Sequence, residues 1–463
     1  MRRYLISTSV IAFTATIFAG ASAAVAEPQL KTILELPGES TDLTKIKKKE
    51  TGGAGINRNG FFSDIFYDTK TGDWYALSDR GPGGGLLSYE TRVQKFTVTY
   101  NADGSISDYR IVKTIPFRYG SEPFNGLNPS LLNGDSSKLG SSFDPEGLVV
   151  GQGGHLFVAD EYGPSLYEFT SSGQFIRAFA PPANLVPREA DTDINYVDGR
   201  PTIVTGRQDN RGYEGLAINK SRTKLYAIMQ DPLVNEGTSN DGRRSTNVRI
   251  VEYNIATGLS ERQFVYQLDT IAQINARDPS ATAFSATNQG RSIGASGIYA
   301  LSNTEFLILE RDNRGRGVDE PSGTSPKPLH KRIYKIDITG ATDVAGISLA
   351  GTNGSTLPDA SVITPVSKTL FLDMLTAING ANHWIPEKIE GFAPGPVLPD
   401  GKQLYLAGTD NDYSITQTGG QFEVCIATDA NGQLTGSTQV AIDAGCPTGY
   451  TLIPALLMSF KGQ

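Results

Sequence analysis

Five times along this 463-residue chain a short acidic–glycine–aliphatic triplet is followed by a polar turn and then by an apolar strand that ends in acids. The clearest copies are Glu146-Gly147-Leu148 with residues 156–161, Glu214-Gly215-Leu216 with residues 225–231, and Glu390-Gly391-Phe392 with residues 404–410. Two looser copies are Ser63-Asp64-Ile65 with residues 74–80 and Ser296-Gly297-Ile298 with residues 306–312. A further strand follows each copy, at residues 93–98, 166–169, 249–255, 332–338 and 421–426. These alternate with period two and carry β-branched or aromatic residues on the apolar side, the pattern of a half-buried strand.

Each copy is therefore a small antiparallel meander. One meander alone leaves an apolar face uncovered, so copies must stack, and radial stacking of such sheets is a β-propeller. An all-β fold is expected, with residues 27–463 as one domain. The triplets begin at residues 64, 146, 214, 296 and 390, spaced by 82, 68, 82 and 94. That exceeds the roughly 40–50 residues of a plain blade. Part of the surplus is loop, since residues 118–142, 231–247, 312–330 and 350–362 are rich in Gly, Ser, Asn, Asp and Pro. Part can hide a blade whose triplet has decayed, so six blades are favoured, with five and seven open. Residues 30–36 and 451–460 can pair to close the ring. Only short helices are expected, at 269–277 and 371–378.

In a propeller the innermost strands surround an axial channel. If the triplet opens that strand, Glu146, Glu214 and Glu390 gather around the axis, with Asp64 beside them. A second acidic set ends the following strands: Asp79, Asp160-Glu161, Asp231, Glu310 with Asp312, and Asp410 with Asp412. Carboxylates crowded into one site repel, and a divalent cation removes the conflict. Calcium takes six to eight oxygens in a flexible geometry, which suits acids offered by several blades. The candidate calcium ligands are Asp64, Glu146, Asp160, Glu161, Glu214, Glu310, Glu390 and Asp410. Cations recur beside them, at Arg80, Arg207, Arg211, Arg311, Arg314, Arg316 and Lys388. Of these, Arg80, Arg211, Arg311 and Lys388 are the candidate catalytic groups, placed to neutralise an anionic ester together with the metal. The competing reading of each triplet acid is structural: it holds backbone N–H groups of the next blade.

The rest of the sequence narrows the class. Forty-one Lys and Arg against 49 Asp and Glu give a net charge of −8, which argues against nucleic acid as a partner. Residues 1–26 begin with Arg2 and Arg3, continue through a short apolar run and end in Ala24-Val25-Ala26. That is the layout of a secretory signal peptide cleaved before Glu27, so the mature protein is expected in the periplasm or outside the cell, as a monomer without a transmembrane segment. In such an oxidising compartment Cys425 and Cys446 can form a bridge or stay as separate thiols. Two cysteines and three histidines cannot build a Cys/His zinc site of usual spacing. His155 and His330 are expected to be solvated, and His383 is kept as a candidate acid or base. The glycine-rich stretch at residues 81–85 lacks the Lys-Ser/Thr of a phosphate-binding loop and is expected to be a plain loop.

Six motifs stand out along the chain: Phe143-Asp144-Pro145-Glu146-Gly147-Leu148, Ala159-Asp160-Glu161-Tyr162-Gly163-Pro164, Arg211-Gly212-Tyr213-Glu214-Gly215-Leu216-Ala217, Asn247-Val248-Arg249-Ile250, Glu310-Arg311-Asp312 and Lys331-Arg332-Ile333-Tyr334-Lys335. Together they resemble the phytase-like domain family, described as having esterase-like activity of phytase. The resemblance runs from about Gly60 to Asp412 and implies an exported propeller that hydrolyses phosphate esters. A calcium-dependent phosphoesterase is the leading expectation. A propeller lactonase or carboxylesterase and a non-catalytic calcium-stabilised binding module are the alternatives.

Overall fold

Five four-stranded antiparallel sheets carry the five triplet copies, one each. The computed structural model describes residues 26–44, 57–129, 142–285, 293–323, 326–429 and 432–463. The first sheet consists of Asp64–Asp68, Asp73–Leu77, Arg92–Tyr100 and Ile106–Pro116. The second consists of Pro145–Val150, Leu156–Asp160, Leu166–Phe169 and Phe175–Phe179. The third runs through Tyr213–Ile218, Lys224–Met229, Asn247–Asn254 and Ser260–Gln267, and the fourth through Ile293–Ala300, Glu305–Asp312, Lys331–Asp337 and Ser367–Asp373. The fifth sheet is assembled from both ends of the chain: Ile389–Val397, Gln403–Thr409, Ala455–Gly462 and Gln29–Leu36.

The first strands of the five sheets touch in cyclic order, first to second and on to the fifth, which returns to the first. They are the innermost strands of a closed β-propeller. The sixth blade that the long spacings favoured is not found among the described residues. The surplus between copies goes instead into loops, including the 3-10 turns Val234–Glu236, Thr238–Asn240 and Gly242–Arg244, and into an extra sheet on the fifth blade. Ring closure follows the expected route: Leu36 pairs with Ala455 and Leu30 with Phe460, so both termini complete one blade.

One strand goes elsewhere than its spacing predicts. The segment 421–426 reads as the third strand of the fifth blade, but Phe422–Thr428 belongs to a separate sheet with Leu434–Ala441 and Thr451–Leu452. Ala455–Gly462 takes its place beside Gln403–Thr409. The physical reason lies in composition and burial: Ala455–Gly462 is buried at seven of its eight positions, whereas Phe422–Thr428 carries Glu423 and is exposed at both ends. The more apolar strand takes the interior. Cys425 and Cys446 are bridged, which ties this outer sheet to the segment leading back into the blade.

Sequence maps onto burial blade by blade. Inner strands such as Pro145–Val150 and Tyr213–Ile218 are buried at every position, and outermost strands such as Ile106–Pro116 are mostly half-exposed or exposed. The apolar core lies between neighbouring sheets. Phe62, Trp74, Phe96, Leu406 and Leu457 fill the seam between the fifth and first blades, and Leu309, Ile389, Phe392 and Met458 that between the fourth and fifth. Helices are short, as expected. Ile271–Asn275 is capped reciprocally by Thr270 and Gln273, and Met374–Gly380 by Asp373. The export segment predicted for residues 1–26 lies almost wholly outside the described residues. Among these, no helix is long and apolar enough to cross a membrane.

Candidate functional site

The triplet does two separate jobs, and the pairing register separates them. In the second blade Pro145 pairs with Asp160 and Gly147 with Ala159, so Glu146 has no partner across the ladder. Glu214, Ser296 and Glu390 are skipped in the same way. Such a bulge re-aims the extra side chain, and here it sends the triplet acid into the axial cavity. The glycine that follows lies against the next blade. A Cβ on Gly147 would stand 2.5 Å from Leu216 N, and one on Gly215 would stand 2.7 Å from the Gly297 Cα. One on Gly391 would meet Ile65 Cγ1 at 2.7 Å. Repeated glycine therefore answers to the close approach of five inner strands around one axis.

The first copy departs from this scheme. Asp64 pairs with Leu77 without a bulge, and its carboxylate accepts from Leu148 N at 2.7 Å and from Ile65 N at 2.8 Å. It stands where the other blades have glycine, one place beyond the acid position, which Ser63 fills. Asp64 thus holds backbone of the next blade, and the expectation of an axial ligand is corrected at this residue.

The cavity measures about 210 Å³ and is lined by seven carboxylates and four cationic side chains. Glu146, Glu161, Glu214 and Glu390 are there with Arg80, Arg211, Arg311 and Lys388, as the sequence suggested. Asp79, Asp231 and Glu387 complete the acids. Every cation is engaged. Arg80 donates to Asp144 Oδ2 at 2.6 Å and lies 3.7 Å from Glu161. Arg211 Nε lies 3.3 Å from Asp231, and its other end donates to Gln230 at 2.6 Å. Arg311 donates to Glu390 at 2.5 Å, and Lys388 reaches Asp410 at 3.0 Å and Asp412 at 2.5 Å.

The carboxylates are less well served. Gln230 holds one oxygen of Glu214, and the other has no partner. Glu146 is buried and accepts no hydrogen bond from the described residues. Burial, together with the like charges of Asp144, Glu214, Glu390 and Glu161, holds the Glu146 carboxyl well above its ordinary range. Burial, Glu161 and Glu390 do the same to Glu214. Glu161 is pushed up to about 8 by burial and Asp144, against the pull of Arg80 and Arg211. Burial works against the Lys388 ammonium, but Asp410, Asp412, Glu390 and Asp79 outweigh it and raise that group.

Among the described residues, three groups of side chains bring potential metal-binding atoms within 4.8 Å of one another. In Asp79, Asp410 and Asp412 the Lys388 ammonium already bridges two of the acids. In Asp269, Glu310 and His330 the cations are also built in, since Lys368 binds both acids and Arg277 binds Asp269. Asp79, Asp144 and Glu146 fit a cation best: of the three, Arg80 bonds Asp144, and Glu146 faces the like charges of its neighbours.

Other sequence-derived candidates fall outside the cavity wall. Asp160 accepts from Asp144 N, Tyr162 N and Gly163 N, which fixes the turn that carries Glu161. Asp410 stands behind Lys388 as its counter-ion. Arg207 donates to three backbone carbonyls, and Arg314 and Arg316 stack on Phe284 and Trp384. His383 lies 3.3 Å from Glu35, away from the cavity. His155 bonds Glu168 at 2.7 Å with a partly exposed ring. His330 is fully buried rather than solvated, because Glu310 and Arg277 engage its two nitrogens. Asn210, Gln230, Asn313, Glu387 and Gln417 also line the cavity and carry no signal in the repeat pattern. Asp144 was visible in the motif before the second triplet.

Glu310 belongs to that second cluster, not to the axis. Burial opposes its charge, but Lys368 and the bond from His330 hold it below the ordinary carboxylate range. Asp269 is lowered too, by Lys368 and His330 against burial. A carboxyl depressed on folding contributes stability above its unfolded pKa and loses it as pH falls through the folded value. Glu310→Gln is therefore expected to lower the stability at neutral pH and flatten its decline on acidification. Urea unfolding between about pH 3 and 7 checks this. An unchanged acid limb would show that the cluster contributes nothing.

A family model described as phytase-like, "esterase-like activity of phytase", matches residues 57–413. The chain belongs to the phytase-like family. A curated relative of this phytase-like protein, an uncharacterized secreted protein of Arthroderma benhamiae, is 31% identical over 315 residues. The alignment covers 60% of the chain and 59% of that relative's length. Among solved structures, a virginiamycin B lyase from Staphylococcus aureus aligns over 93% of this chain and 99% of its own, at 9% identity and a TM-score of 0.31. A luciferin-regenerating enzyme aligns over 94% and 97%, at 11% identity and a TM-score of 0.30.

Proposed function

We propose that this phytase-like chain is an exported hydrolase of phosphate esters that requires calcium in its axial cavity. The carrying observation is the convergence of Arg80, Arg211, Arg311 and Lys388 on one small cavity in which Glu146 faces other carboxylates and, among the described residues, one buried oxygen of Glu214 lacks a partner. Export is supported by the N-terminal segment and by the description of the Arthroderma relative as secreted. Family membership supports ester chemistry.

The chain's own groups divide the work. Arg211 and Arg311 face the cavity from the third and fourth blades, and their guanidinium groups would bind non-bridging phosphoryl oxygens and share the charge that develops there. Lys388, fixed by Asp410 and Asp412, would add a point charge from the fifth blade. Asp144 holds Arg80 by both its backbone and its side chain, which fixes that cation at the wall. Glu146 and Glu214, with Asp79 and Asp144, would hold calcium. When bound it would relieve their mutual repulsion and withdraw charge from the ester oxygen.

Phosphate release from a panel of phosphate esters by residues 27–463, with calcium and with chelator, tests this reading. Release that chelator abolishes and calcium restores is expected. Glu214→Gln is expected to weaken calcium binding at least about tenfold, with a smaller effect on folding, because the lost charge served the ion and not the ladder. Unchanged calorimetric titration with calcium would remove Glu214 from the site. Cleavage of lactones with no phosphate release would replace the phosphoesterase reading.

A further inference from the structure

Charge inside the cavity and its size together restrict what can enter. Seven carboxylates face four cations, and all four cations already have acidic partners at hydrogen-bonding or ion-pair distance. The wall is therefore acidic in balance, and every anionic group that enters competes with these acids for the four cations. The space is about 210 Å³, below the roughly 300–1,000 Å³ of pockets that enclose drug-sized ligands. Polar side chains from several elements, Asn210, Gln230, Asn313 and Gln417, complete the wall and suit hydroxyl or amine groups better than further anions.

We infer that the substrate presents one phosphoryl group to this cavity, on an alcohol that is uncharged or cationic, and that polyphosphorylated rings are poor substrates. The inference rests on the phosphoesterase reading and deepens it. A divalent cation at Asp79, Asp144 and Glu146, with the guanidinium groups of Arg211 and Arg311, can balance one phosphoryl group. A second and third phosphoryl group would have to share Arg80, Arg211 and Lys388 with Glu161, Asp231 and Glu387, the acids those cations already serve, and each added phosphoryl charge is repelled by them. A hydroxyl or ammonium on the same alcohol meets acceptors there instead.

The test compares ethanolamine phosphate, glycerol phosphate and inositol hexakisphosphate as substrates of the calcium-loaded protein. The expected kcat/KM for both monophosphates exceeds that for the hexakisphosphate by at least about tenfold. Inorganic phosphate is expected to inhibit at lower concentration than the hexakisphosphate does. Hexakisphosphate cleaved as fast as the monophosphates, or faster, would overturn the inference and leave the phosphoesterase reading standing. No release from any of the three would overturn that reading, and the inference with it.

Discussion

Gly215→Ala is expected to cost about 3 kcal/mol, the upper end of what overpacking a tight interior costs. A Cβ at this position would lie 2.7 Å from the Gly297 Cα and 2.8 Å from Ile298 N. Those are backbone atoms of the neighbouring inner strand, and backbone in a closed ring cannot swing aside as a flexible side chain can. Displacing one blade also disturbs the next, because Gly297 itself faces Glu390 O of the fifth blade at 3.2 Å from its own virtual Cβ. Gly346→Ala is the control. That glycine is exposed with open space around its virtual Cβ, and its substitution is expected to change stability by less than about 0.5 kcal/mol. Urea midpoints of the two variants decide the matter. Equal midpoints would mean that the inner strands do not meet as closely as the triplet glycines require.

The same glycine explains what was legible in the sequence and what was not. A repeated Glu-Gly-aliphatic triplet advertises an inner strand, and five triplets correspond to five four-stranded sheets. The repeat does not advertise the bulge at the acid, because a bulge changes pairing without changing the residues. Asp64 for that reason reads as an acid-position residue, although it occupies the glycine place and accepts from Leu148 N. Counting blades from spacing failed on a similar ground: loops and the Phe422–Thr428 sheet consume chain without adding to the ring. Strand-end acids were the least decidable group. Glu161 faces the cavity and Asp160, its neighbour, faces its own turn, because successive residues of an extended chain point to opposite sides. Glu310 and Asp410 carry the same sequence signature as Glu161 and end as partners of Lys368 and Lys388. Cations proved more readable, since Arg80, Arg211, Arg311 and Lys388 all reach the cavity. Each flanks a triplet or a strand-end acid, and those are the ends of strands nearest the axis.

Lys388→Met has the largest expected cost, about 3–5 kcal/mol, the range for removing one partner of a buried ion pair. Methionine keeps the length and apolar stem of lysine, so packing changes little and charge is what is lost. Lys388 is the cation that Asp410 and Asp412 share, and Asp79 offers an oxygen within 4.8 Å of theirs. Burial and neighbouring carboxylates already hold Asp79 and Asp412 above the ordinary range while the ammonium is present. Without it the three acids face one another across a few ångströms, with Arg80 beside Asp79 as the remaining counter-charge. The backbone offers little relief: Asp412, Tyr413 and Ser414 follow one another at φ 49°, 56° and 59°, a left-handed run that the packing of Tyr413 on Tyr89 helps to hold in place. A double variant separates charge from packing. Lys388→Met with Asp412→Asn is expected to be more stable than Lys388→Met alone, because one orphaned acid is gone, so the two substitutions combine with a coupling of about 1–3 kcal/mol. Equilibrium unfolding of the wild type, both single variants and the double variant measures that coupling. Additive losses would show that the Lys388 ammonium and the Asp412 carboxylate contribute independently, and that Asp412 needs no ammonium.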